Sequence, residues 1–395
     1  MIASAWRRAA MACAASVTVT HAATVSIDTS TRYQNIEGWG ACMITWSISS
    51  TPYYNNAWRE AYRDLGCNIV RVAMTKNVLV HTSGNYATPV VLSDNLQNNI
   101  ALFNFNRQDV TVFSDLAAWL QANALETNRV KIVGSVWSPP HWMKGPTGNT
   151  QYHVSNPSVL RPTPWLANGT SGDSIGGRLL QDSTNLVQFG RYMAAWIKGF
   201  EQRYGIPLYA ISLQNEVSFE NPFDSCTYEK GAGTTNAPGA AGQWWQYAGA
   251  LKALKDGFAE FGVTAKIKGP HCAGVKDTPA NPWELNQQMK YIQAVKQHSD
   301  AALINRLDIY ASNGYVGSSS NAVLNLAGYW RGKQNVPANW VSWLYAPGVM
   351  NDGKQTWFSE CGGEAAAWLN GSGGTPGSGA IVLAQKMHNA LVHAN

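Results

Sequence analysis

The chain has 395 residues, of which 45% are hydrophobic and only 13% charged, and its formal net charge is +5. This length buries a large core without asking for a second large domain. A near-neutral balance with no basic run excludes a nucleic-acid footprint, and no stretch is apolar for long enough to span a bilayer.

The charged share is about half the usual one, so the surface is polar but largely uncharged. Seventeen tryptophans then carry more information than the charges. Aromatic faces among amides and hydroxyls suit sugar rings, which offer C–H faces and hydroxyl edges. Residues 1–23 place Arg7 and Arg8 before a weakly apolar Ala/Val stretch and end in small residues at Ala22 and Ala23, the build of an export signal. Its removal takes two positive charges and no acids, so the net charge falls from +5 to +3. Five of the six cysteines would remain, Cys42, Cys67, Cys226, Cys272 and Cys361, an odd number without CxxC spacing.

Residues 24–34 alternate Val25 and Ile27 with polar neighbours, which predicts a half-buried strand. Asn35–Trp46 is expected to be the first barrel strand, with Gly38 and Gly40 around Trp39 either bringing backbone close to a ligand or making a plain structural turn. A helix over Trp58–Leu65 stops at Gly66, and Asn68–Ala73 follows as a strand carrying Arg71. A guanidinium inside an apolar strand must be paired, and a carboxylate in the barrel mouth is its natural partner. Helix 107–124 leads to strand Val130–Val136. It exits into Trp137-Ser-Pro-Pro-His-Trp142-Met-Lys144, where two prolines hold Trp137 and Trp142 in fixed directions. That pair reads as a sugar platform at the rim.

The Gly/Asn/Ser/Pro-rich stretch 145–181 is long enough to be a functional wall or lid. Asp182 or Ser183 caps the next helix, whose apolar positions Leu186, Phe189, Met193, Trp196, Ile197 and Phe200 recur at helical spacing and face the core. Gly205 ends it. Leu208–Glu216 then runs as an apolar strand that stops in amide, amide and carboxylate. A helix carrying Trp244, Trp245 and Tyr247 precedes a short strand Ile267–Gly269, which ends at Pro270-His271-Cys272; one His–Cys pair lacks the further ligands a metal site needs. Leu307–Ala311 is a sixth strand ending at Ser312-Asn313-Gly314-Tyr315, and Gln355–Phe358 a seventh ending at Ser359-Glu360. Strand and helix alternate throughout, which is the pattern of an α/β chain folded as a (β/α)8 TIM-type barrel, here with seven recognisable strands.

In such barrels the chemistry sits just past the carboxyl ends of the strands. Glu216 closes the fourth strand and Glu360 the seventh, so their carboxylates can converge across the mouth. A gap of about 5–5.5 Å would make them a retaining glycosidase pair, with Glu216 as acid and base and Glu360 as nucleophile. Asn215 can donate to the sugar 2-hydroxyl, Tyr315 to Glu360, and Arg71 can hold the same carboxylate as an anion. Spacing alone supports this only weakly, because Glu364 and Glu220 also lie near strand ends.

The combination Ile36-Glu-Gly-Trp-Gly, Asn68-Ile-Val-Arg71, Trp137-Ser-Pro-Pro-His-Trp-Met-Lys144, Leu213-Gln-Asn-Glu216, Gly314-Tyr315 and Phe358-Ser-Glu360 resembles glycoside hydrolase family 30. The resemblance implies a (β/α)8 barrel with an attached β-sandwich and retaining chemistry, in a family that includes glucosylceramidases, xylanases and β-1,6-glucanases or galactanases. By matching position Glu216 resembles the acid/base and Glu360 the nucleophile. Asn215, Arg71, Trp137 and Tyr315 resemble the surrounding subsite.

Two departures stand out. Asn313 occupies a position where many members have His, which puts the hydrogen bonding of that subsite in doubt. The chain ends at His393-Ala-Asn395, where members continue into an eighth strand, so it reads as a fragment, with residues 24–34 a lone strand of a missing sandwich and residues 35–395 an incomplete barrel. The expectation is an exported retaining glycosidase acting on a cell-wall polysaccharide, xylan or a β-1,6-linked glucan or galactan, without metal or cofactor, and monomeric at full length. The alternatives are an exo-acting, glucosylceramidase-like β-glucosidase and a non-catalytic glycan-binding fragment.

Overall fold

The computed structural model describes residues 26, 28–31, 35–41, 56–74, 90–106, 108–123, 130–145, 178–217, 225–226, 228, 243–272, 287–313 and 352–360. In the amino-terminal unit, Met1–Ile36, the Asp28 carboxylate accepts from the Ser30 amide at 2.9 Å and from the Ser30 and Thr31 hydroxyls at 2.6 and 2.8 Å, closing a polar turn. Val25 and Ile27, on which the expected strand rests, lie outside the described residues, as does the signal-like segment.

From Glu37 onward the architecture is a parallel α/β barrel sheet. Strands β1 (Ile69–Met74), β2 (Lys131–Val136), β5 (Leu208–Ser212), β6 (Lys266–Cys272), β7 (Ile309–Asn313) and β8 (Gln355–Glu360) pair in that order, each parallel to its neighbours. Parallel neighbours taken in chain order, with helices in the crossovers, are the (β/α) barrel topology. The crossovers carry helices α2 (Leu96–Ile100), α3 (Gln108–Asn123), α4 (Ser183–Tyr204), α5 (Gln243–Phe261) and α6 (Gln287–Lys296), and α1 (Asn56–Asp64) precedes β1. Among the described residues no helix is long and apolar enough to cross a membrane.

Helix α4 shows why the sequence folds this way. The Asp182 carboxylate accepts from the Asn185 amide, satisfying one of the free donors of the first turn, and Gly205 ends the helix at φ 68°. Between these caps the stripe Phe189, Met193, Trp196, Ile197 and Phe200 is fully buried. Helix α5 packs so closely that a Cβ on Gly190 would stand 2.2 Å from the Ala253 carbonyl oxygen, so only glycine fits the crossing.

The expected first strand, Asn35–Trp46, is described only in part. Among its described residues, 35–41, Trp39 accepts from both the Asn68 and Ile69 amides at 2.9 and 3.0 Å, an irregular approach rather than a register. Gly38 at φ 151° and Gly40 allow it, since a Cβ on Gly40 would lie 2.0 Å from the Ile69 carbonyl oxygen. The Gly-Trp-Gly turn is therefore structural. Residues 42–46 lie outside the described residues, so six of the seven expected strands make up the described sheet.

Two-residue strands β3 (Lys144–Gly145) and β4 (Arg178–Leu179) pair antiparallel and pin the two ends of the long 145–178 connection together. Buried Lys144 reaches across to the Ser225 carbonyl at 2.8 Å.

The barrel floor is polar. Glu37 accepts from the Tyr209 hydroxyl at 2.6 Å, the Trp357 indole N–H at 2.7 Å and Lys131 at 3.3 Å. Tyr209 and Trp357 stack at 6.0 Å and 7°, and the Lys131 and Lys266 ammoniums lie 4.8 and 4.7 Å from the Tyr209 ring centroid. This cluster joins the segment before β1 to β2, β5, β6 and β8. Directly against it, Val133, Ala210 and Ile309 form a small apolar layer with Ile69, Tyr209 and Trp357.

Candidate active site

Above that apolar layer, the carboxyl ends of the strands carry charged and amide groups that side-chain alternation turns inward. Arg71, inside β1, meets Glu360 at the end of β8 with NH1 to Oε2 at 2.6 Å, and each side chain is 13% exposed. This is the pairing that burial of a guanidinium demands. Trp137, just past β2, lies under the guanidinium with its ring centroid 5.5 Å from Cζ. It is 8% exposed. Trp142 stands in the 3-10 turn His141–Met143, half-buried, with part of its ring against the main hydrophobic core.

Glu216 follows β5. Its side chain accepts from the Asn313 amide, Nδ2 to Oε1 at 3.1 Å, and its backbone N–H donates to the His271 carbonyl at 2.9 Å. Both Glu216 and His271 have positive φ, 56° and 68°, a conformation that costs about 1–2 kcal/mol for a residue with a Cβ. Neither residue is glycine, so the surrounding structure enforces the turn, and such strain gathers at functional sites. Asn313 is the pivot. It faces Glu360 across the β7–β8 ladder, where the register shifts, while its side chain holds Glu216. Both glutamates are thereby gathered around one residue.

Asn215 is 1% exposed, and neither Nδ2 nor Oδ1 of its side chain has a hydrogen-bond partner among the described residues. A buried amide is almost always satisfied; one that is not fits a partner such as a substrate hydroxyl. The neighbouring Gln214 donates to the Trp137 and Asn215 carbonyls at 2.7 and 2.9 Å, which locks the β5 exit to the β2 exit. Tyr315 lies outside the described residues.

Three groups were missed as site residues by the sequence. Lys268 and His271, both on β6, are fully buried. Burial pushes the Lys268 ammonium well below its usual range, and Arg71 adds to this while Glu360 opposes it. Burial likewise pushes His271 well below the ordinary imidazole value, with Lys268 and Arg71 adding and the bond to Asn313 opposing. The third is Asn313, visible in the sequence only as a departure. The argument applied to Arg71, that a charge in an apolar strand needs a partner, would also have found Lys268. His271 lies in a hydrogen-bond chain between Lys268 and Asn313, and among the described residues no group of three or more His, Cys, Asp or Glu side chains could hold a metal ion. Cys272 is buried beside His271.

No protein-family model matches the chain, and no curated protein matches it. Solved structures do. The catalytic domain of glycoside hydrolase family 30 xylanase C from Talaromyces cellulolyticus superposes with a TM-score of 0.50 at 14% identity, over 92% of this chain and 67% of that one. A family 30 subfamily 8 xylanase from Clostridium acetobutylicum gives 0.49 at 19% identity, over 93% of this chain, and an endo-β-1,6-glucanase gives 0.47 at 18%, over 77%. The chain spans 64% and 58% of the lengths of these last two. The fold is thus like that of a glycoside hydrolase family 30 catalytic domain.

Proposed function

We propose that the chain is a retaining β-glycosidase of a cell-wall polysaccharide, xylan or a β-1,6-linked glucan or galactan, exported to meet that substrate. The observation that carries this reading is a pair of strand-end carboxylates gathered around Asn313. Glu360 meets the Arg71 guanidinium at 2.6 Å, and Glu216 accepts from the Asn313 amide at 3.1 Å. A pair of carboxyls at the barrel mouth is what a double displacement needs.

In the first step Glu360, ion-paired with Arg71, attacks the anomeric carbon. The glycosidic C–O bond breaks, and the leaving oxygen takes the proton of Glu216. Esterification removes the charge of Glu360, and Glu216, now a carboxylate, accepts a proton from water as that water displaces the ester oxygen. Each atom and proton is restored at the end of the cycle. The unsatisfied Asn215 amide suits the sugar 2-hydroxyl, a bond that strengthens as charge develops at the ring. The buried indole of Trp137 supplies an apolar wall.

The test is reducing-end release from glucuronoxylan, β-1,6-glucan, β-1,6-galactan and a glucosyl lipid, with the product anomer followed by NMR. Turnover on one polysaccharide with the β-anomer formed first is expected. Glu360→Gln should reduce it to background, and Glu216→Ala by roughly 10²–10⁴-fold. Appreciable turnover in Glu360→Gln removes the nucleophile assignment, and an initial α-anomer removes the retaining mechanism. Cleavage confined to the glucosyl lipid replaces the polysaccharide reading.

A further inference from the structure

A continuous line of buried polar atoms runs from the middle of β6 to Glu216. Lys268 Nζ lies 3.4 Å from His271 Nδ1 and 3.4 Å from Ser135 Oγ. On the other edge of the imidazole, Nε2 lies 2.9 Å from Asn313 Oδ1, and Asn313 Nδ2 donates to Glu216 Oε1 at 3.1 Å. The Ser359 hydroxyl donates to the same Asn313 Oδ1 at 3.0 Å. Lys268, His271 and Asn313 are each no more than 2% exposed.

The direction of this chain follows from donor and acceptor chemistry. A carboxylate oxygen only accepts, so the amide must present Nδ2 to Glu216 and Oδ1 to His271. An amide oxygen only accepts, so His271 must carry its proton on Nε2. The lone pair of Nδ1 then faces Lys268, which donates. Every link is fixed once Glu216 is fixed.

We propose that Lys268, His271 and Asn313 are positioning residues that hold Glu216 by Oε1 for its proton transfer. The proposal rests on the glycosidase reading for its catalytic meaning, but the geometry stands without it. Neutral His271 is essential, because a second ring proton would turn Nδ1 into a donor against Lys268. Burial and the positive charges of Lys268 and Arg71 keep it neutral. The ionisable groups around it among the described residues include Lys268 and Cys272 on its own strand, Arg71 on β1, Glu216 after β5 and Glu360 on β8; the ladder neighbours Ser312 and Asn313 are uncharged.

Two measurements test this on the full chain. Imidazole ¹⁵N NMR, with the His271 signal assigned by its absence in His271→Gln, should show the neutral Nε2–H form from about pH 5 to 8, where a free histidine titrates. An Nδ1–H form, or titration in that interval, overturns the proposal. Infrared titration of the carboxyl band missing from Glu216→Gln should find it persisting about one pH unit higher in Asn313→Ala, because losing a donor disfavours the carboxylate. The alkaline limb of kcat/KM should move up by the same amount. His271→Phe should behave like Asn313→Ala, and His271→Gln, which keeps an N–H for Asn313, should restore the wild-type limb. A band that stays where it is in Asn313→Ala refutes positioning even if Glu360→Gln is dead. A band and tautomer that behave as stated, in a chain that cleaves no glycan, leave the positioning intact and remove the glycosidase reading.

Discussion

Glu37→Gln is expected to destabilise the fold by about 3 kcal/mol. The carboxylate accepts three bonds, from Tyr209 at 2.6 Å, Trp357 at 2.7 Å and Lys131 at 3.3 Å. Bonds to a charged acceptor are worth about 1.5–3 kcal/mol each against about 1 kcal/mol for neutral ones. Glutamine keeps one acceptor oxygen and turns an N–H towards a group that is itself a donor, so one bond is weakened and another replaced by a clash of donors. Burial opposes the Glu37 charge, yet the bonds from Tyr209 and Trp357 and the Lys131 ammonium outweigh it and hold the carboxyl below its usual range. A depressed folded-state pKa contributes stability above the unfolded value of about 4.3, and that contribution is lost as pH falls through the folded value. Urea denaturation should therefore show a gap between wild type and variant that is full at pH 7 and closes below about pH 4. A gap under about 1 kcal/mol at pH 7, or one that persists undiminished at pH 3, refutes the view that this carboxylate secures the barrel floor.

Arg71→Met removes the cation from Glu360 and the guanidinium from the face of Trp137, and should lower kcat/KM by roughly ten- to a hundredfold, the kinetic equivalent of one charge-assisted bond; an unchanged value means that the ion pair only supports packing. Lys268→Met should leave urea stability unchanged or raise it by about 1 kcal/mol, because a fully buried ammonium held by two 3.4 Å contacts is poorly compensated, while shifting the His271 ¹⁵N signals away from the pure Nε2–H form. Loss of several kcal/mol of stability in that variant would show that Lys268 is structural.

Much of the fold was legible because its signals are local. The strand now seen as β5 is a strand-length apolar run between turn residues, and α4 carries its stripe and both caps within 24 residues of sequence, Asp182 to Gly205. The segment before β1 is described only in part: Ile36-Glu-Gly-Trp-Gly has strand composition, and its two glycines let the chain run close to β1. At the site, Glu216, Glu360 and Arg71 were readable because a carboxylate at a strand end and a guanidinium within a strand are anomalies on their own. Asn313, His271 and the Glu37 floor were not. Each acquires its role from partners far away in sequence, 97 residues for Asn313 to Glu216 and 320 for Trp357 to Glu37, and no period or spacing encodes that.

The two ends of the barrel solve the same problem in opposite ways. At the floor, a carboxylate is matched by three donors, two of them aromatic side chains that also stack on each other, and the group is compensated where it stands. At the mouth, the Asn215 amide is left unsatisfied, Glu216 and His271 occupy left-handed backbone, and a buried ammonium lies at long range from its acceptors. Each of these lowers stability, and apolar residues of similar volume would remove the penalty. These penalties lie at the carboxyl ends of the strands, the end where barrels of this topology carry their chemistry. They gather on Asn215, Glu216, His271 and Lys268, and strain kept at a cost in stability is expected where a barrel binds or reacts.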